Sequence, residues 1–184
     1  MYEVEVKLRA DHETVRARLA EAGAVREART TQVDTYYDAP HRDFAETDEA
    51  LRIRRETRVD DGTETADGEE TTVTYKGPLV DEQSKTRSEH ETAVEDGESA
   101  ENILSGLSFE PVETVEKERE FFSLDGYTVT LDAVADLGEF VEVEMQTEDD
   151  VDAAREGAFD VLRRLGLDPN DQIRTSYLAL LLSE

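Results

Sequence analysis

YEVEVKLR, at residues 2–9, alternates apolar and charged side chains without interruption. Because successive side chains of a β-strand point to opposite faces of its sheet, this order predicts a strand with one apolar face and one charged face. The charged face carries Glu3, Glu5 and Lys7. We expect the apolar face to pack against a core, which leaves the charged face in polar surroundings.

Seven further segments also have the residue pattern of strands, and short turns separate most of them. They cover residues 32–37, 50–54, 71–76, 87–94, 112–124, 127–132 and 140–146. Eight antiparallel strands can close into a barrel that is wide enough for one small ligand. We therefore predict an α+β fold in which residues 1–184 form a single domain, an eight-stranded antiparallel β-barrel with helices packed on its outside. If the helices cover the apolar face, the charged face lines the interior.

Four segments have a helical pattern instead. Asp11 and Thr147 stand where they could cap the N-termini of two helices, and Gly23 and Gly166 stand where they could end them. The predicted helices cover residues 12–22, 99–107, 148–165 and 171–182. Residues 56–70 are acidic, contain glycine and lack an apolar pattern, which predicts a mobile loop.

The composition is strongly acidic, with 47 Asp and Glu residues against 20 Lys and Arg and a formal net charge of -27. Periodic apolar residues indicate a folded chain, so we expect an acidic surface suited to very high salt, where counter-ions screen the self-repulsion. The same charge disfavours nucleic acid and anionic membranes as partners. The absence of cysteine excludes disulfides and thiolate metal sites. No secretory signal or membrane-length apolar run is evident, so a cytoplasmic location is expected.

Two pairs of carboxylates share a strand face. Glu3 and Glu5 stand two residues apart, and Glu142 and Glu144 repeat the arrangement, with Asp132 on the strand before. Carboxylates this close repel each other unless a cation lies between them, and hard cations such as Mg²⁺ or Mn²⁺ prefer oxygen ligands. Taken alone, either pair is more typical of a solvated strand face in so acidic a chain.

Basic residues form a second pattern on the strand faces. They are Arg52, Arg54, Lys76, Arg87, Lys117 and Arg119. Lysine is rare in this chain, yet most of its few lysines occupy same-face strand positions, where arginine would serve equally well in a surface ion pair. Their retention therefore indicates a site. Cations that face one interior would repel one another without an anion, and a triphosphate would neutralise them. Ion pairing on an open surface is the alternative.

The order of these blocks resembles the CYTH family, also known as the triphosphate tunnel metalloenzymes. Glu3-Val-Glu5-Val-Lys7 is similar to the family's ExExK signature, and the similarity continues along essentially the whole chain. The further blocks are QVDTYYDAP (32–40), LRIRRE (51–56), TYKGP (74–78), KTRSEHE (85–91), VEKERE (115–120), LDAVADLGEFVEVE (131–144) and SYLALLL (176–182). The residues of these blocks are most similar to those of the class IV adenylate cyclase-like members. The family also includes thiamine triphosphatases and inorganic triphosphatases.

The resemblance implies a role for each of these residues. The metal ligands would be Glu3, Glu5, Glu142 and Glu144, with Asp132 as a further ligand or as a partner of one. The triphosphate-binding residues would be Arg52, Arg54, Lys76, Lys117 and Arg119, with Arg87 in a block that matches less closely. Lys7 would contact phosphate or orient the acids. The predicted catalytic residues are thus Glu3, Glu5, Lys7 and Asp132, with Mg²⁺ or Mn²⁺ as the cofactor.

Three functions follow as hypotheses. The first is a metal-dependent enzyme that converts ATP to cyclic AMP and pyrophosphate. The second is a triphosphatase that hydrolyses tripolyphosphate, thiamine triphosphate or a nucleoside triphosphate, and the third is a binder without catalysis. The resemblance allows a homodimer, which nothing in the composition requires. His12, His41 and His90 are expected at the surface. Tyr36 and Tyr37 are expected to pack in the core, although one of them could instead contact a nucleobase.

Overall fold

Eight β-strands form the body of the computed structural model, which describes residues 1–60, 63–81 and 83–183. The strands are β1 (Tyr2–Arg9), β2 (Val25–Asp38), β3 (Ala50–Asp60), β4 (Thr63–Leu79), β5 (Arg87–Val94), β6 (Glu110–Leu124), β7 (Tyr127–Val134) and β8 (Gly138–Thr147). They close into a barrel in the order β1-β5-β4-β3-β2-β6-β7-β8, and each neighbouring pair is antiparallel. The predicted α+β fold with an eight-stranded antiparallel barrel is confirmed.

The helices of the described residues pack against the outside and one end of this barrel. They are α1 (His12–Ala22), α2 (Phe44–Thr47), α3 (Gly97–Gly106), α4 (Val151–Arg164) and α5 (Tyr177–Leu182), with a short 3-10 helix at Pro169–Asp171. α1 and α4 cover the apolar faces of β1, β7 and β8, where Val6 and Leu8 pack with Leu19 and Leu162. Each of these side chains is almost fully buried, which stabilises the fold by about 1.5–3 kcal/mol per residue. The apolar strand faces thus pack in a core between the barrel and the helices, and the charged faces turn inward.

One short turn shows how local sequence sets the strand register. Asp125 and Gly126 join β6 to β7 with φ angles of 52° and 86°. A two-residue hairpin turn needs positive φ at both positions, and Asp-Gly is among the sequences that tolerate it best. The turn pairs Leu124 with Tyr127, and from there every inward residue of β6 is aligned with β7.

The expectation of a mobile loop at residues 56–70 is wrong for the residues that the structure describes. β3 continues to Asp60 and β4 begins at Thr63, with Thr57 paired to Glu69 across the hairpin. Residues 61 and 62 lie outside the described part of the chain. Backbone ladder hydrogen bonds need no apolar side chains, so a strand pair can extend past the barrel in a segment that lacks an apolar pattern.

Two helix predictions also need correction. Asp150, not Thr147, caps α4: its side chain accepts a hydrogen bond from the Ala153 amide at 3.0 Å, because β8 still pairs as far as Thr147. The predicted helix over 171–182 begins only at Tyr177. The preceding segment is held extended because the Ile173 amide donates to the Lys7 carbonyl oxygen at 2.7 Å.

His12 is buried, contrary to the expectation of a surface residue. It is 7% exposed, and its Nε2 lies 2.9 Å from the carbonyl oxygen of Phe140. As the first residue of α1 it ties that helix to β8, which apolar periodicity alone does not reveal. His90 and His41 are exposed as expected. Across the described residues, none of the helices has the length and apolar character needed to span a membrane.

Candidate active site

The inward faces of the strands enclose one cavity of about 370 Å³. Eight of the chain's 20 lysines and arginines line it, although basic residues are scarce in the sequence. These are Lys7, Arg52, Arg54, Lys76, Lys85, Arg87, Lys117 and Arg119. The predicted convergence of the charged strand faces on an enclosed space is therefore what the structure shows. Ten carboxylates share the described lining, so the cavity presents cations and acids together, which suits an anion that binds along with a metal cation.

A wall of carboxylates crosses the cavity where β1 meets β8. Glu5 stands directly opposite Glu144, and Lys7 stands opposite Glu142. Like charges that face each other across strands are destabilising, and Lys7 offsets part of this repulsion. Its Nζ lies 3.3 Å from a carboxylate oxygen of both Glu5 and Glu142. Burial lowers the pKa of Lys7, but these two carboxylates outweigh it and the net pKa is raised.

Glu144 is the least compensated carboxylate of this wall. Burial raises its pKa, and the negative charges of Glu3 and Glu142 raise it further against the opposing effect of Arg119, to about 8. Within the described residues, no three histidine or acidic side chains converge closely enough to hold a metal unaided. The all-oxygen donor set and the excess negative charge around Glu144 nevertheless fit a hard divalent cation that also takes ligands from a bound substrate.

The other carboxylate of the first strand, Glu3, is bound by a lysine. Lys76 Nζ contacts Glu3 and lies 3.1 Å from Glu89. Burial lowers the pKa of Lys76, but Glu3 and Glu89 outweigh it, so the lysine stays charged. Glu91, on the same face as Glu89, accepts a hydrogen bond from Thr74 Oγ1 at 2.7 Å.

Asp34 anchors two arginines on the opposite side of the barrel. Arg54 donates to it through Nε at 2.6 Å and Nη2 at 2.7 Å, and Arg52 donates through Nη1 at 3.3 Å. Asp34 is fully buried. Burial raises the pKa of its carboxyl group, but the two arginines outweigh this effect and hold the pKa far below its usual range. The arrangement fixes two guanidinium groups at the cavity wall.

Asp132 holds a third guanidinium group in the same way. Arg119 Nε donates to its Oδ1 at 2.6 Å, Arg119 Nη2 contacts its Oδ2, and the Tyr177 hydroxyl donates to Oδ2 at 2.9 Å. Asp132 is fully buried and is not among the residues that line the cavity. The structure therefore places Asp132 behind the wall, with both carboxylate oxygens occupied, and not at the position of a metal ligand.

Lys117 lies between these two anchored groups, and within the described residues it forms no ion pair shorter than 3.8 Å. Its Nζ is 3.8 Å from Asp34 and 4.0 Å from Asp132. Burial lowers the pKa of Lys117, and Arg119 and Arg54 lower it further against the opposing effect of the two aspartates, to about 7. A bound anion at this point would restore the charged ammonium group.

Lys85 and Arg87 form another basic group at the cavity wall. Lys85 Nζ donates to the Arg174 carbonyl oxygen at 3.1 Å and lies 3.5 Å from Asp48. Arg87 Nη1 donates to the Asp48 carbonyl oxygen at 3.1 Å. Burial lowers the pKa of Lys85, and Arg87 lowers it further, to about 8.

Comparison with known proteins shows the family to which this chain belongs. The model of the CYTH domain matches residues 1–177. The chain belongs to the CYTH family. A Methanocaldococcus jannaschii protein provisionally named adenylate cyclase is 37% identical over 183 residues, which are 98% of both chains. A solved structure from Pyrococcus horikoshii OT3 is also 37% identical, with a TM-score of 0.88 and 98% of both chains covered.

A more distant CYTH-like fold comes from Hippeastrum. It is a protein named as an adenylyl cyclase whose structural report describes a dominant triphosphatase activity. It is 15% identical, has a TM-score of 0.65, and the match covers 99% of this chain and 95% of that one. At this identity the likeness extends to the fold alone.

The CYTH barrel brings together the residues that the sequence singled out, with the exception of Asp132. Glu3, Glu5, Lys7, Glu142 and Glu144 line the cavity together with the predicted basic residues Arg52, Arg54, Lys76, Arg87, Lys117 and Arg119. Sequence reasoning missed Asp34, Lys85 and Tyr177. Asp34 could have been found, because it shares the inward face with Gln32 and Tyr36 in a strand of period two. Lys85 could have been found because lysine is rare in this chain. Tyr177 stands in the block SYLALLL, but that block gives it no role beyond packing.

Proposed function

We propose that this CYTH chain is a metal-dependent enzyme of nucleoside triphosphates whose reaction is the conversion of ATP to cyclic AMP and pyrophosphate. One observation carries the proposal: eight buried or half-buried cations converge on a cavity inside the closed barrel that also presents Glu3, Glu5 and Glu144. A family of triphosphate tunnel metalloenzymes and the provisional name of the Methanocaldococcus relative support the choice of reaction.

The basic wall would bind the phosphate chain. Arg54 and Arg119 are held by Asp34 and Asp132, so their outward N–H groups and Lys117 face one region of the cavity with their positions already fixed. Charge-assisted hydrogen bonds to phosphate contribute about 1.5–3 kcal/mol each. Because the donors are ordered before binding, little of this energy is lost in arranging them.

The carboxylate wall would hold the cation. Glu3, Glu5 and Glu144 face the cavity and supply hard oxygen ligands. Lys76 contacts one oxygen of Glu3 and Lys7 contacts one oxygen of Glu5, whereas both oxygens of Glu142 are engaged, one by Lys7 and one by Arg119. A bound Mg²⁺ or Mn²⁺ would activate the attacking oxygen and offset charge on the phosphates. Lys7 orients Glu5 and Glu142, and Asp132 orients Arg119. Among the predicted catalytic residues, we therefore assign Glu3 and Glu5 to the metal and give Lys7 and Asp132 positioning roles.

The chemistry of the proposed reaction is a displacement at the α-phosphorus. The ribose 3′-oxygen forms a bond to that phosphorus and loses its proton to solvent, and the bond to the bridging oxygen of pyrophosphate breaks. Negative charge on the departing pyrophosphate is stabilised by the lysines and arginines around it. The protein's contribution is positioning and charge stabilisation, for which this cavity supplies fixed donors.

Hydrolysis of a triphosphate is the second candidate, favoured by the composition of the wall. Among the described lining residues the aromatic ones are Tyr36, Phe121 and Tyr177, and most of the others are charged. The wall is thus built for the phosphate chain more than for a base. In this reaction water attacks the terminal phosphorus and orthophosphate is released.

Product identification separates the candidates. The purified chain is incubated in high salt with ATP, thiamine triphosphate or inorganic tripolyphosphate, each with Mg²⁺ or Mn²⁺. Cyclic AMP with equimolar pyrophosphate from ATP supports the cyclase. Orthophosphate without cyclic AMP supports the triphosphatase and overturns the cyclase. Binding of tripolyphosphate without turnover of any substrate would leave a polyphosphate or nucleotide binder, the third hypothesis.

A further inference from the structure

The C-terminal segment enters the candidate site through Tyr177. This residue opens α5, is 5% exposed, and lines the cavity. Its ring packs edge-on against Phe140, with 4.9 Å between ring centroids. A core aromatic residue would need no more than this contact, yet Tyr177 also makes a polar contact through its hydroxyl and two cation–π contacts through its ring.

The polar contact reaches the basic wall through Asp132. The Tyr177 hydroxyl donates to Asp132 Oδ2 at 2.9 Å, and the same carboxylate receives both donors of Arg119. The hydroxyl adds a third hydrogen bond to this carboxylate and so restricts its rotation. A carboxylate with fixed rotation fixes in turn the plane of the guanidinium group that it pairs with.

The other two contacts join the ring to lysines on different strands. Lys7 Nζ lies 4.1 Å from the Tyr177 ring centroid and Lys117 Nζ lies 5.1 Å from it. Both distances are within the range of a cation–π interaction, which is strongest where water is excluded, and both ammonium groups are almost fully buried. One side chain thus contacts a lysine of the carboxylate wall and a lysine of the basic wall.

We propose that Tyr177 is a positioning residue of the triphosphate site: its hydroxyl orients Asp132, and through it Arg119, while its ring holds the ammonium groups of Lys7 and Lys117 at the cavity wall. This inference rests on the proposed function, since it assumes that the cavity binds a triphosphate. It makes the C-terminal segment part of the binding site and not only a cover for one end of the barrel.

A matched pair of tyrosine variants tests the proposal. Tyr177→Phe removes the hydroxyl and keeps the ring, and Tyr127→Phe removes a comparable hydroxyl that donates to the Ala154 carbonyl oxygen at 3.0 Å, outside the cavity. Isothermal titration with inorganic tripolyphosphate in EDTA measures binding without metal or turnover. We expect Tyr177→Phe to bind about tenfold more weakly, because a hydrogen bond to a charged group is lost. Tyr127→Phe should bind as the unaltered chain does.

Thermal unfolding of the same proteins separates positioning from a loss of fold. We expect both Phe variants to unfold a few degrees below the unaltered chain, since each loses one hydrogen bond. A Tyr177→Phe protein that binds tripolyphosphate as tightly as the unaltered chain would overturn the proposal. Equal weakening of binding in Tyr127→Phe would overturn it as well, since the effect would then follow general stability.

A third variant tests the ring. Tyr177→Leu keeps apolar bulk and removes the contacts to Lys7 and Lys117, so we expect weaker binding than in Tyr177→Phe, by about a further three- to tenfold. Equal affinity of these two variants would overturn the part of the proposal that concerns the ring. Failure of the unaltered chain to bind tripolyphosphate is a different result: it would remove the proposed function itself and this inference with it.

Discussion

At the scale of single residues, Glu144 decides whether the carboxylate wall is a metal site. It faces Glu5 across the strands, and its pKa is raised to about 8 by burial and by neighbouring negative charge. A folded-state pKa above the usual value makes an ionised carboxyl destabilising, so stability falls as pH rises from the ordinary carboxyl range towards 8. A divalent cation would reverse this penalty, which is the physical reason to expect one here.

Glu144→Gln should therefore separate turnover from stability. We expect metal-dependent turnover to fall by at least about 100-fold, because a metal ligand is lost. In EDTA at about pH 8.5, where the native carboxylate is ionised, the variant should unfold at the same temperature as the unaltered chain or higher. Glu116→Gln, on the exposed outer face of β6, is the control and should change neither quantity. Undiminished turnover of Glu144→Gln would remove Glu144 from the metal site.

We expect Lys117 to set the pH dependence of triphosphate binding. Its pKa in the free protein is about 7, and bound phosphate must raise it, so binding takes up a proton above neutrality. Affinity for tripolyphosphate, measured by titration calorimetry in EDTA, should fall as pH rises above about 7, by at most about tenfold per unit. Lys117→Arg stays charged throughout and should postpone the fall to about pH 8, where half of Lys85 has lost its proton. Identical profiles for the two proteins would contradict the assignment.

At the scale of the elements, alternation along the strands predicted which side chains enter the barrel. Glu3, Glu5 and Lys7 could be assigned to one face because the strand period is two and their apolar neighbours had to meet the helices. The partners that fix those side chains were less accessible to sequence reasoning. Tyr177 belongs to a short helix, and its neighbours Asp132 and Lys7 lie 45 residues and more away in the chain. Only the closed topology of the barrel brings them together.

Helix starts and the β3–β4 hairpin show the same limit. Asp11 caps α1 as predicted, because its carboxylate accepts the Thr14 amide at 2.8 Å. Threonine is also a common N-cap residue, but Thr147 still pairs with β1 as the last residue of β8. Asp150 therefore caps α4 instead. The extension of β3 as far as Asp60 depends on backbone pairing, which leaves no trace in apolar periodicity.

The contact of α4 with β7 supports a prediction about packing. A Cβ atom at Gly157 would lie 2.0 Å from the Tyr127 hydroxyl oxygen, whereas one at Gly106 in α3 would meet nothing within 4 Å. We expect Gly157→Ala to destabilise the fold by about 1–3 kcal/mol through overpacking. Gly106→Ala should be neutral or stabilise it by up to about 1 kcal/mol, since alanine is the better helix former. Urea unfolding measures both, and a stable Gly157→Ala protein would contradict the close approach.

At the scale of the whole molecule, the charge distribution has two parts with opposite behaviour. The chain carries a net charge of -27, yet eight of its 20 basic residues are gathered in the cavity. Ten acidic residues line the same cavity, so the rest of the chain keeps 37 acidic residues against 12 basic ones and stays strongly acidic. Its self-repulsion opposes the compact state and is screened by salt, while the attraction between the cavity and an anionic substrate is weakened by the same screening.

Salt should therefore move stability and substrate affinity in opposite directions. We expect the thermal unfolding midpoint to rise steadily as KCl is increased from about 0.1 M to above 1 M, because the Debye length shrinks from about 10 Å to about 3 Å. Affinity for tripolyphosphate in EDTA should fall over the same range, but less steeply than for an exposed site, since the binding cations are buried. Sucrose, which stabilises by exclusion without screening, is the control and should raise the midpoint without weakening binding. An unfolding midpoint that does not respond to KCl would contradict the view that surface charge suits this protein to high salt.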